Sequence, residues 1–158
     1  PTMPAIHKKH KPNRTRLTMK LIAAYAESTS SDGQKGCEIL SIPNDVDPSE
    51  VSLEGVTRID LNFPRFTDGR AYSQAFLLRR RLGFAGELRA TGDVLIDQLV
   101  QMERTGFDVA VLRADQNIDF AQRQFDRYRG FYQGDAVTVQ PLFAREGASP
   151  AARERAVA

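Results

Sequence analysis

The sequence contains one cysteine, Cys37, two histidines, His7 and His10, and no tryptophan. A lone cysteine closes no internal disulfide, and no Cys or His cluster has metal-ligand spacing. The chain therefore predicts neither a disulfide framework nor a metal centre, and a reducing cytoplasm is the economical setting. Cys37 reads as a small apolar filler at a strand start rather than a reactive thiol. Both histidines precede the body of the chain, so no Ser-His-Asp set can assemble within it. No GxGxxG, P-loop or HExxH occurs, and no nucleotide cofactor or catalytic metal is implied by motif. Apolar runs fall short of the roughly 18 residues that a membrane span requires. The piece "LIAAYA" (Leu21 to Ala26) is too short for the core of a signal peptide.

Acid is missing from the start of the sequence. Residues 1–20 carry Lys8, Lys9, Lys11, Arg14, Arg16 and Lys20 and no carboxylate; this +6 segment, set against a chain total of +2, leaves the remainder at −4. The high isoelectric point thus belongs to the N-terminal segment, while the body is mildly acidic. "HKKHKPNRTR" (His7 to Arg16) has no interleaved aromatics and matches no binding module, so it reads as a solvated arm and nucleic acid is not the expected partner.

What is present is an ordinary globular composition, 41% hydrophobic and 27% charged over 158 residues, enough for one domain with its own core. Residues 1–36 form the basic segment, read as flexible; residues 37–134 the domain; and residues 135–158 a tail with one β-like piece, Ala136 to Phe143. Within the domain, short β-type runs alternate with turns and helical patterns. Cys37 to Ile42 is the first strand, followed by a loop with a short helix after Pro48. Thr57 to Phe63 is the second strand, and Ala71 to Leu82 a helix stopped by Gly83. Glu87 to Thr91 is the third strand; Asp93 then caps a helix over Val94 to Thr105, stopped by Gly106. Phe107 to Arg113 is the last strand, and a helix runs from Ile118 towards Tyr132.

Repeated βα units with short links specify an α/β fold with a parallel sheet and right-handed crossovers. Two architectures fit: an open flavodoxin-like sheet or a partial (β/α) barrel. Ile59, Leu61 and Phe63 alternate with Arg58, Asp60 and Asn62, and Leu88 and Ala90 with Glu87, Arg89 and Thr91. One sheet face is therefore polar, either as a wet edge or as the inside of a curved sheet where Asp60 and Arg89 compensate each other across strands. A partial barrel leaves unpaired edges, which predicts a homo-oligomer.

Arg70 poses the sharpest question, because it falls where a helix begins. A cation in a first helical turn is unfavourable by roughly 0.3–1 kcal/mol, whereas Arg79, Arg80 and Arg81 sit at the favourable end. Arg70 needs a partner: Asp68 or Asp93 in an ion pair, or a bound anion that also takes the N–H groups of "TDG". Strand-to-helix turns of a parallel sheet gather at its carboxyl edge, where helix N-termini bind anions. The expected ligand-binding set is Arg65, Thr67, Asp68, Gly69, Arg70, Arg89 and Asp93. Asp68 and Asp93 are the candidate acid–base groups, each with a plain alternative as a helix cap. Asp97, four residues after Asp93, would share its helix face.

The stretch "FPRFTDGRAYSQAFLLRRRLGFAGELRATGDVLIDQLVQMERTGFD" (Phe63 to Asp108) resembles the core of a bacterial domain-of-unknown-function 934 family, most closely in "FPRFTDGR", "GELRATGDVL" and "DQL". The resemblance implies a pathway, because that family is often encoded beside assimilatory sulfite reductase and labelled an oxidoreductase of sulfite reduction. The residues themselves supply no nucleotide fingerprint, iron–sulfur cysteines or haem ligand, so no cofactor is expected. Two readings follow. One is an accessory protein of the sulfite-reducing system with a small-anion site at the carboxyl edge. The other is an enzyme acting on a small anionic substrate, with Asp68 or Asp93 as general acid or base.

Overall fold

A computed structural model of the protein describes residues 19–24, 38–127, 131–141 and 144. Cys37, both histidines and the basic arm before Met19 lie outside these residues. So do 128–130, where the last helix was expected to continue, and 142–143 of the β-like tail.

Five strands form the sheet: β1 (Lys20–Ala23), β2 (Glu38–Ile42), β3 (Val56–Phe63), β4 (Glu87–Gly92) and β5 (Val109–Leu112). Their order is β1-β5-β4-β3-β2 and every neighbouring pair is parallel. The sheet is open. From β2 to β5 each strand is laid beside its predecessor, always in the same direction, as in a (β/α) barrel. A flavodoxin-like order would instead place the first strand inside the sheet and create a switch-point crevice there. Here β1 lies beyond β5, so Lys20–Ala23, in the segment expected to be flexible, supplies an edge strand.

The helices are α1 (Arg70–Arg80), α2 (Leu99–Thr105) and α3 (Ile118–Arg127), with short 3-10 turns at Pro48–Glu50 and Ile96–Gln98. Successive helices touch one another and share one core with the sheet. Ile59, Leu61 and Phe63 of β3, Leu88 and Ala90 of β4 and Ala110 and Leu112 of β5 are buried there. They pack against Ala71, Ala75 and Leu78 of α1, Leu99 and Met102 of α2 and Ala121 of α3. The period of two on the strands and the i, i+4, i+7 spacing on α1 are what bring these groups to one side. Phe63, Tyr72 and Phe107 close the core as an aromatic trio, the first two edge to face at 5.1 Å.

The opposite face is polar on β3 and β4, as their alternation predicts, but it is not wet. The side chains of Arg58, Asp60 and Arg89 keep only 22, 16 and 11% exposure. Asp60 and Arg89 are register partners across β3 and β4, yet charge is also compensated along each strand. Arg58 donates two hydrogen bonds to Asp60, and Arg89 donates two to Glu87. On β5 both faces are buried, Val109 and Val111 included, which is the pattern of an inner strand.

Two sequence expectations are corrected. The helix after β4 does not start at Val94: Leu95 is extended (φ −105°, ψ 153°), a 3-10 turn follows, and α2 begins only at Leu99. The β-like tail is not a strand in its described residues. Asp135 instead folds it back, its carboxylate accepting the N–H groups of Val137 and Thr138.

Candidate functional site at the carboxyl rim

Because all strands run the same way, the turns that follow β2, β3, β4 and β5 meet at one edge, and hydrogen bonds join them in series. From the β2 turn, Asn44 donates to Asp68 (2.8 Å), while Gln74 of α1 donates to the carbonyls of Pro43 and Val46. From the β4 turn, Asp93 accepts the N–H of Phe66 (2.8 Å) and Gln98 donates to the Phe66 carbonyl (2.7 Å). From the β5 turn, Arg113 donates to Asp93 (2.6 Å), and Gln116 accepts the N–H of Ile96. The expected convergence of loops is what the structure has.

Arg70 has its partner in Asp68. The guanidinium makes three hydrogen bonds to that carboxylate, the shortest 2.7 Å, and the same carboxylate accepts the Arg70 backbone N–H at 3.2 Å. Residue Gly69 occupies the cap position of α1 with no side chain to offer, so Asp68, one residue earlier, serves both the first-turn N–H and the misplaced cation. These contacts hold the Asp68 carboxyl at about 2; the Arg70 side chain is the larger cause and its backbone N–H the next.

Asp93 is not a helix cap. Its carboxyl is lowered first by the Phe66 N–H and then by Arg113. Arg113 in turn grips Asp115 with two bonds of 2.6 and 2.7 Å, holding that carboxyl at about 2 as well. The turn that delivers Asp93 depends on Gly92. Its φ is +92°, and a Cβ there would collide with the Phe63 carbonyl and the Asn62 side chain. Asp97, exposed on the 3-10 turn, shares no helix face with Asp93; its charge, after burial, helps push the Tyr72 hydroxyl up to about 12.

Of the residues the sequence singled out, Arg65, Thr67, Asp68, Gly69, Arg70 and Asp93 lie on this rim. Arg89 does not. It stands in mid-strand on the face away from the helices and reaches back to Glu87, towards the amino end of β4. Arg113, at the end of the last strand, is on the rim as the turn pattern places it although it stood outside the expected binding set; Asn44 and Gln98 are the rim residues that pattern reasoning passed over. Among the described residues no group of three or more His, Cys, Asp or Glu is placed to hold a metal, and no helix is long and apolar enough to cross a membrane.

The charge of the rim is the reverse of an anion receptor. The turns from Pro43 to Asp47, Pro64 to Arg70, Asp93 to Gln98 and Arg113 to Asn117 hold six aspartates and three arginines. Of the "TDG" N–H groups expected to take an anion, that of Asp68 donates to the Arg65 carbonyl, and the flanking N–H groups of Phe66 and Arg70 donate to the chain's own carboxylates.

Fold and rim together define an open, singly wound parallel α/β protein whose loops form one hydrogen-bonded edge. The chain belongs to the bacterial proteins of unknown function grouped as DUF934, whose family model matches residues 39–143, more than half of it. Neither the curated proteins nor the solved structures gave a match.

Proposed function

We propose that the protein is a non-catalytic accessory component of sulfate assimilation, acting on the sulfite-reducing system by recognition through its carboxyl rim. The pathway comes from what kinship with the family implies. The non-catalytic part is carried by one observation: both candidate acid–base groups, Asp68 and Asp93, are held ionised by guanidinium and backbone N–H partners. A general acid working near neutrality needs a carboxyl raised towards the working pH, and a general base is weakened by the same lowering and by oxygens that already accept hydrogen bonds. A small anion finds fewer cations than expected, since Arg70 and Arg113 are committed to aspartates and Arg89 is on another face, which leaves Arg65 of the expected arginines.

A strain lacking the protein should grow poorly on sulfate and normally on cysteine. Purified protein should bind purified sulfite reductase while showing no turnover of sulfite. Calorimetry with sulfite or phosphate should give no saturable heat. Anion binding that disappears in Arg70→Ala would restore a ligand site instead, and normal growth of the deletion strain on sulfate would remove the pathway assignment.

A further inference from the structure

Phe66 is 48% exposed, although it lies in a turn whose backbone is tied on both sides. Its N–H is held by Asp93 and its carbonyl by Gln98, and Asp93 is itself braced by Arg113. An aromatic ring carried on a braced backbone loses little freedom when it is buried by a partner, which is the character of an interface anchor. The strand order β2-β3-β4 places this turn between the β2 and β4 turns. The former contributes exposed Asp45 and Asp47, the latter exposed Asp97. Phe66, next to the exposed Arg65, is therefore an apolar point between acidic turns on a rim with twice as many aspartates as arginines, and Ile118, 40% exposed, opens α3 on the same rim.

We propose that this rim is a docking surface for a protein that offers an apolar pocket bordered by lysines and arginines, with Phe66 as the inserted anchor. The inference rests on the recognition role given above and specifies the chemistry of the surface recognised. The acid excess sets the choice of occupant. A nucleic acid or an anionic membrane would be repelled by the net acid excess of the rim. A second copy meeting the first rim to rim would bring like charges together, because an isologous contact matches a patch with itself. A basic partner gains steering and register from the same charges.

The test places p-benzoylphenylalanine at position 66 of the full chain, in cells growing on sulfate, and maps the photo-crosslinked peptide. The expected product is a different protein, linked at a site bordered by lysine or arginine. The purified pair should bind roughly ten-fold or more weakly after Phe66→Ala and progressively less as salt is raised. Phe76→Ala, an equally exposed phenylalanine on α1, should leave affinity unchanged. Crosslinks to another copy of this chain, to a site without basic residues, or to nothing overturn the proposal, as does a pair indifferent to Phe66→Ala. If the captured basic partner has no part in sulfite reduction, the docking surface stands and the pathway role falls. If sulfite reductase binds equally well to the Phe66→Ala protein, the pathway role stands and the docking surface falls.

Discussion

This protein repeatedly neutralises arginine with a carboxylate two residues away, on strands because residues two apart point the same way there and in the turns because the chain folds back on itself. Arg58 pairs with Asp60, Arg70 with Asp68, Arg89 with Glu87 and Arg113 with Asp115. The spacing is visible in the sequence, so an ion pair for Arg70 was readable from "TDGR". That Arg113 reaches a second carboxylate, Asp93, was not, because the two are 20 residues apart and meet only when β4 and β5 pair. The Asp68 contacts make a prediction at this scale. Its carboxyl is depressed, so the stabilisation it gives the rim is complete above the ordinary carboxylate range and is lost as pH falls through about 2. A carboxyl NMR titration should show that late midpoint, and Arg70→Ala should move it up towards the ordinary value; an unmoved midpoint would mean that Arg70 is not the cause.

At the scale of elements, the misplaced start of α2 has a local cause. Asp93 was read as a cap because it precedes an apolar periodic run, but its carboxylate is drawn to Phe66 and Arg113, and the Val94 carbonyl accepts the Arg113 N–H. Tertiary partners outcompete the helix for those groups, and Leu95 is left extended ahead of the 3-10 turn at Ile96. The end of α1 shows the converse. Arg79 looked like a residue placed only to suit the helix dipole, yet its side chain is 7% exposed. It donates to the carbonyls of Gly106, Phe84 and Gly86 and to Asp108, clasping the end of α2 to the approach to β4. Arg79→Ala would strand those acceptors and an adjacent charge, and should cost about 3–5 kcal/mol in urea unfolding. Gly106→Ala should also destabilise, since φ there is +110° and a Cβ would land on the Arg79 side chain. A shift of only a few tenths of a kcal/mol for Arg79→Ala would show that the clasp is incidental.

For the molecule as a whole, the order β1-β5-β4-β3-β2 puts β5, β4 and β3 inside the sheet and β2 and β1 at the ends of the described sheet. Native-state hydrogen exchange should therefore be slowest in β3, β4 and β5 and faster in β2 and β1; equal protection along the sheet would contradict this arrangement. The sequence by itself determined that the chain is a parallel α/β protein. It also determined which face of β3 and β4 enters the core and that the turns after the strands carry the polar groups. Those properties follow from side-chain periodicity and turn residues, which are local and survive in a linear reading. Only the tertiary structure decided that Arg89 leaves the rim while Arg113 bridges two of its turns, that Asp93 braces a neighbouring turn instead of a helix, and that Lys20–Ala23 extends the described sheet beyond β5. Each of these depends on which strands become neighbours, and neighbours distant along the chain are chosen by packing of the whole sheet, not by any residue's own preference.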